Sequence, residues 1–285
     1  MQAGKPSATA YGAAYSRARH QVVDAPLVFE DPLALRIVGD EAAERLLRDG
    51  RRTDGFGIRN FRVGIVARAR IAEDELREGV AFRGVRQYVV LGAGLDTFAY
   101  RNPYLPGALT VFEVDHPATQ EWKRQMLQAA LIAEPSSLRY VEVDFEKQRL
   151  FDRIEAAGWR PDLPSAFSWL GVTMYLAPQT TMDTLRRIAE RSAKGSSLVF
   201  DYALRQPRHA LLRRLAVRMV SRRFADQGEP WIGFLDPQAL VHEALAMGWT
   251  SADVIDHRQL NEMFFNGRRD RLRMHPFGGV IRLRL

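Results

Sequence analysis

Residues 89–101, VVLGAGLDTFAYR, run from a short apolar strand into a turn with two glycines and an aspartate, then into a helix-compatible stretch. Val89, Val90 and Leu91 supply the strand, while Gly92 and Gly94, with Ala93 between them, let the backbone turn sharply and approach a ligand closely. A dinucleotide fingerprint places a third glycine at position 97, where this chain has Thr97. A phosphate loop needs a Gly-Lys-Ser/Thr run, and no lysine follows here. Asp96 puts a negative charge where a pyrophosphate would meet bare N–H groups. The turn therefore selects a nucleoside without phosphate, and favours a ligand that carries an ammonium group.

The following strands extend this reading. LTVFEVDHP, residues 109–117, ends in acids, and Asp115 lies 21 positions after Gly94. That is close to the ~20-residue spacing at which a nucleoside-binding unit places a carboxylate on the ribose hydroxyls. Glu113, on the same strand face, either supports Asp115 or is a solvated or salt-bridged strand residue. His116 is expected to flank the adenosine. A third strand, LRYVEVDFEK at 138–147, ends in Asp144 and Phe145, an acceptor for an adenine amino group and an aromatic cover for its ring. S-adenosyl-L-methionine satisfies these requirements, being a nucleoside without phosphate joined to an amino acid whose ammonium and carboxylate both need partners.

The stretches LGAGLDTFAYR, VFEVDHP followed by Lys123 and Arg124, YVEVDF and WLGVTMYL at 169–176 occur in that order. YGAAYSRARHQVVDAPLVFEDPLA and the arginine of VARAR at 66–70 precede them. Together they resemble the leucine carboxyl methyltransferase-like group of class I S-adenosylmethionine-dependent methyltransferases, over most of residues 9–203. The resemblance implies an α/β, Rossmann-like fold: a seven-stranded, mostly parallel sheet with one antiparallel strand and helices on both faces. It also implies that Arg68 meets the cofactor's methionine carboxylate. Leu170 stands where many relatives carry a glutamate, so that only backbone contact is expected there.

From about residue 86 to 203 strands and helices alternate, which argues a parallel sheet. Residues 1–80 read as an N-terminal helical cap over the active site, and residues 81–285 as the core. PLALRIVGDEAAERLLRDG follows Asp31-Pro32, a cap and first-turn pair, and ends at Gly50. Asn102-Pro103-Tyr104 reads as a turn. ADVIDH and GGVIRLRL suggest a closing strand pair, the latter edge-proximal with one wet face. An insertion at about 204–235 carries Arg213, Arg214, Arg218, Arg222 and Arg223 beside Leu211, Leu215 and Met219. Its amphipathic helix reads as a solvated basic face, or as a lid over the substrate that attracts an anion.

With no cysteine and six scattered histidines, thiolate catalysis and disulfides are excluded and no metal is expected. No stretch approaches ~18 consecutive apolar residues, so neither a membrane span nor a signal peptide is read, and a cytoplasmic protein follows. A net charge of +7 permits nucleic acid, but the basic residues are mixed with acids and no RNA-reading aromatic module is present, so no nucleic-acid partner is expected. The acceptor is expected to be a small molecule, with a carboxylate ahead of a hydroxyl. Tyr11, Tyr15, Arg19 and Tyr175 are candidates to line its pocket, Tyr175 equally as a core residue. His20 is the candidate base, against a structural hydrogen-bonding role. The oligomeric state is left open. Two rivals are a nucleoside-binding protein without turnover and a nicotinamide oxidoreductase.

Overall fold

The computed structural model describes residues 8–143, 149–206, 215 and 230–285. Asp144, Phe145 and the basic stretch of the insertion lie outside them. Four helices come first: α1 (Ala8–Val23), α2 (Ala34–Ile37), α3 (Asp40–Asp49) and α4 (Phe56–Phe82). The alternating part follows with β1 (Gln87–Leu91), β2 (Thr110–Asp115), α5 (Pro117–Ala129), β3 (Leu138–Glu142), α6 (Leu150–Ala156), β4 (Ser165–Trp169), α7 (Pro178–Arg191) and β5 (Ser197–Ala203). The chain closes with α8 (Pro237–Ala246), β6 (Ser251–Ile255), α9 (His257–Phe264) and β7 (Gly278–Arg284).

The strands form one seven-stranded sheet in the order β3-β2-β1-β4-β5-β7-β6. The pairings from β3 through β5 are all parallel, and β7 runs antiparallel to β5 and β6. Every residue of β1, β4 and β5 is buried, as expected where helices cover both faces of a parallel sheet. The strand order reverses between β1 and β4, and in such sheets ligands bind at that switch point, outside the carboxyl ends of the strands.

Local chemistry departs from the sequence reading in three places. The segment after Asp31 breaks in two at Gly39, whose φ of +88° suits glycine, and Asp31 turns the chain ahead of α2 by accepting from the Leu33 amide without capping that helix, whose N-cap is Leu33. The stretch after the glycine turn supports only one turn of 3-10 helix, Phe98–Arg101, because Asn102 accepts from the Tyr104 amide in a side-chain turn and Pro103 and Pro106 follow. Finally, β7 is edge-proximal as read, one strand in from β6, but the face that carries its arginines is only partly wet. Its Arg282 and Arg284 face protein: Arg284 makes a two-pronged bond to the buried Glu75 of α4, at 3.0 and 2.6 Å, and Arg282 pairs with Asp253 at 2.8 Å. The alternation in VIRLRL thus marks a partly exposed face whose arginines are ion-paired, Arg284 to helix α4 and Arg282 to strand β6.

Helix α4 packs on β4, β5 and β7, so the boundary placed at residue 80 falls within a helix that belongs to the sheet. Helix α1 crosses the glycine turn, and buried polar bonds hold it there. Arg17 donates to the Leu95 carbonyl at 2.6 Å and to Asp31 at 3.0 Å. Thr97 donates to the same Asp31 at 2.8 Å and receives Arg101 Nε at 3.1 Å, while Arg101 grips Glu73. Position 97 thus holds a hydroxyl with two partners where a dinucleotide fold would want a glycine. Thr97→Gly is expected to lower stability by about 1–3 kcal/mol, the cost of leaving buried partners unsatisfied, without creating an NAD site. Urea unfolding and calorimetry with NAD check both parts, and unchanged stability would show that the Asp31 network does not depend on Thr97.

Candidate active site

The glycine turn spends its own amide donors. The Gly92 and Ala93 amides both donate to the Val114 carbonyl, at 2.8 and 3.1 Å. Gly94 donates to Asp115 Oδ2 at 2.6 Å, and Asp96 to the Ala93 carbonyl at 2.8 Å. A phosphate loop leaves such groups free to cradle an anion; here they bind strand β2 and the loop itself. Gly92, at φ +68°, also admits no side chain, because a Cβ there would stand 2.5 Å from Val172 Cγ2. Asp96 points its Oδ1 to the Phe98 amide at 2.8 Å and so shapes the turn.

Asp115 closes β2 with a buried carboxylate that accepts one bond on each oxygen, from Gly94 and from the His116 amide at 2.7 Å. Burial pushes its pKa up, opposed by those two N–H groups. A carboxylate offers about four acceptor positions, so each oxygen keeps one for a further donor. His116 accepts from the Ala118 amide through Nδ1 at 3.2 Å and caps α5.

On the other side of the switch point lies Arg68 of α4. Its Nη1 donates to Asp201 Oδ2 at 2.6 Å, and the other oxygen of Asp201 accepts the Gly171 amide at 2.6 Å. Gly171, at φ +75°, lies flat against the guanidinium: a Cβ would come within 2.6 Å of Arg68 Nη2. Because Gly171 touches Arg68 and the adjacent Val172 touches Gly92, the loop after β4 joins the arginine to the glycine turn. Leu170 packs its side chain among the apolar residues between α4 and the sheet. Asp201 was missed in the sequence, although SSLVFDYAL shows the same signal as β2, an apolar run ending in an acid. Tyr175 sits half-buried in the 3-10 turn that follows Val172.

Several expected residues are employed elsewhere. His20 is fully buried, its Nε2 accepts from the Val28 and Phe29 amides at 3.0 and 3.2 Å, and its Nδ1 meets Asp24 at 2.6 Å. With both nitrogens engaged it has no lone pair for a substrate proton, which corrects the base assignment in favour of the structural role. Arg19, also buried, donates to the Gly50 carbonyl at 2.6 Å and to Thr53. Tyr11 donates to the Val38 carbonyl at 3.1 Å, and its ring centroid lies 6.2 Å from those of Tyr15 and Trp122. Tyr11 and Arg19 bind α1 to the ends of α2 and α3 and to α5, and Tyr15 stacks on Tyr11 against the same apolar cluster, so the acceptor-pocket reading of Tyr11, Tyr15 and Arg19 gives way to helix packing.

Glu113 takes the salt-bridged alternative. It contacts Lys123 Nζ at 2.5 Å, with both side chains essentially inaccessible, and its Oε1 has no partner. Burial pushes its carboxyl up to about 7, and the contact with Lys123 opposes this. Because the folded pKa lies above the unfolded value of about 4.3, the folded protein binds more protons between those limits. The contribution of this group is full below about pH 4 and is lost as pH rises through 7. The difference between the stability profiles of Glu113→Gln and the parent, measured by urea unfolding from pH 4 to 8, is expected to carry this slope. A difference independent of pH would show that Glu113 ionises normally.

Known proteins resemble this chain in sequence and in fold. The leucine carboxyl methyltransferase family model matches residues 10–189. YktD of Bacillus subtilis (strain 168), named as an S-adenosyl-L-methionine-dependent methyltransferase, is 31% identical over 292 residues, covering 95% of each chain. A protein of Mycolicibacterium vanbaalenii with the same designation is 36% identical over 183 residues, 62% of this chain and 60% of its own. Among solved structures, a Thermobifida fusca protein described as a methyltransferase superposes with a TM-score of 0.58 at 15% identity, covering 99% of this chain and 96% of that one. A DUF574 family protein of Streptomyces avermitilis gives 0.53 at 16%, with 94% and 99% covered; both share the fold. On the extent of the family match and the full-length relative, the chain belongs to the leucine carboxyl methyltransferase family.

Proposed function

We propose that the protein is an S-adenosylmethionine-dependent O-methyltransferase acting on a small molecule, with a carboxylate as the preferred acceptor. The observation that carries the donor is the state of the glycine turn: the amides of Gly92, Ala93, Gly94 and Asp96 are all bonded within the protein. The turn suits a ligand with no phosphate. The remaining groups fit the same donor, with Asp115 for the ribose and Arg68 for the amino-acid carboxylate, on opposite sides of the switch point. A nicotinamide dinucleotide would bring a pyrophosphate to amides already in use, beside Asp96 and Asp115.

When bound, the cofactor supplies a methyl group made electrophilic by its sulfonium. The protein's part is to hold donor and acceptor in line and exclude water. Arg68 fixes the amino-acid end, Asp115 the ribose, and Val172 and Ala10, which pack over Gly92 and Gly94, keep water from the turn. Tyr175, next to Val172, is the acceptor-side residue of this reading. An ionised carboxylate needs no proton removed before it attacks, and with His20 committed to Asp24 and two amides, that acceptor suits the site better than a hydroxyl.

Calorimetry is expected to show binding of S-adenosylmethionine and S-adenosylhomocysteine and not of NAD; the reverse would end this reading. Asp115→Ala is expected to weaken S-adenosylhomocysteine by about 1.5–3 kcal/mol, the range for hydrogen bonds to a charged group. An undiminished affinity in the folded variant would move the ribose elsewhere. Arg68→Lys is expected to harm S-adenosylhomocysteine and spare adenosine, since lysine cannot copy the guanidinium fork; equal harm to both would make Arg68 structural. At saturating ligands the methyl-transfer step is expected to stay flat from about pH 6 to 9 and to give an alkali-labile methyl ester. A rate that climbs with pH and an alkali-stable product would make the acceptor a hydroxyl. Binding without turnover over a broad acceptor panel would favour a nucleoside-binding protein.

A further inference from the structure

The end of β5 carries a charge that the cofactor reading leaves unused. Asp201 is mostly buried, at the carboxyl edge of the sheet, one residue beyond Phe200, the register partner of Trp169 in β4. Its backbone is pinned, because Thr173 donates to its carbonyl at 2.6 Å. Its carboxylate holds Arg68 through Oδ2 and accepts the Gly171 amide through Oδ1. Two bonds occupy about half of its acceptor capacity. Arg68 gives Asp201 one nitrogen, Nη1, and its Nε and Nη2 make no other hydrogen bond among the described residues. The pair therefore presents a donor array and an acceptor side by side. Leu170, at the end of the adjoining strand, offers no polar side chain to compete for either.

An α-amino acid carries a carboxylate and an ammonium on one carbon, opposite charges side by side. A guanidinium next to a carboxylate matches both at once, and the charges of site and ligand cancel. A guanidinium alone would leave the ammonium desolvated without a partner, which is costly in a site shielded from water. We propose that Asp201 binds the ammonium group of the cofactor's amino-acid end, while Arg68 takes its carboxylate. This rests on the cofactor reading above and deepens it: Arg68 and Asp201 act as one zwitterion-recognising pair, and Asp201 contacts the ligand itself as well as orienting the arginine.

Three ligands separate the roles. S-adenosylhomocysteine has both charged groups, S-adenosyl-3-thiopropylamine keeps the ammonium and lacks the carboxylate, and 5′-methylthioadenosine has neither. Calorimetry with Asp201→Asn is expected to show at least about a tenfold loss for the first two ligands and no more than about a twofold change for the third. Arg68→Lys is expected to weaken S-adenosylhomocysteine and leave the amine unchanged. An amine that binds Asp201→Asn as well as it binds the parent would overturn the proposal, since Asp201 would then act only through Arg68. Equal loss of all three ligands would overturn it as well, making Asp201 a residue of the fold. If Asp201→Asn does not fold, Asp201→Glu, which keeps the charge and moves it by one methylene, takes its place. It is expected to change the ratio of amine to methylthioadenosine affinity, and an unchanged ratio counts against the proposal. A parent protein that binds none of the three ligands would fail the cofactor reading itself, an outcome distinct from the others.

Discussion

The bond from the Gly94 amide to Asp115 Oδ2, 2.6 Å long and buried, sets the character of this protein. It joins the turn after β1 to the end of β2, and it takes out of service an N–H that related folds aim at a phosphate. Gly94 reaches it with a φ of +49°, while the Gly92 and Ala93 amides converge on the Val114 carbonyl beside it. A turn folded this way commits its amides to the protein and keeps the carboxylates of Asp96 and Asp115 beside them. The absence of a third glycine follows from the same geometry: no pyrophosphate needs a close helix terminus, so position 97 is free to carry a hydroxyl that ties the turn to Asp31.

Buried charge organises the rest. Asp31 collects Arg17, Thr97 and the Leu33 amide; Arg62 is gripped by Asp24 and Asp54; Glu75 receives Arg83 and Arg284. Ion pairs of this kind add little net stability over a well-packed apolar core, yet removing one partner is costly because the other is left buried and charged. Their effect here is to fix orientation. The pairs at Asp31, Arg62 and Glu75 each connect elements distant in sequence, and between them they hold α1, α4 and β7 in register with the sheet. A chain with a net charge of +7 thus keeps part of its arginine complement inside, where it serves the fold and not a polyanion.

This explains which parts of the structure could be read from the sequence. The strands were legible because burial on both faces leaves uninterrupted apolar runs, and the acids at their ends stand out against them; that signal marks Asp115 and marks Asp201 equally well. The N-terminal side chains were not legible. Tyr11, Tyr15, Arg19 and His20 on α1 have the chemistry of a pocket lining, and nothing local distinguishes a polar side chain that faces a substrate from one that satisfies a distant backbone group. His20 is decided by the Val28 and Phe29 amides, and Arg19 by the Gly50 carbonyl, partners supplied only by the tertiary fold. The same holds for VIRLRL, where an alternating strand next to water and one under an ion-paired helix read alike.

Leu170 marks the point where the site differs from the pattern it resembles, and its surroundings account for the difference. An acid at position 170 would join Asp201 beside Arg68, giving two carboxylates to one guanidinium within a partly desolvated space. Like charges so placed cannot both ionise without a second cation. The structure resolves this with one carboxylate, delivered from β5, and with an apolar side chain at 170 that packs between α4 and the sheet. Gly171 completes the arrangement, because its missing Cβ is what lets Arg68 lie against the backbone while that backbone donates to Asp201. The carboxylate beside Arg68 is thus supplied by β5, and the loop after β4 contributes its backbone.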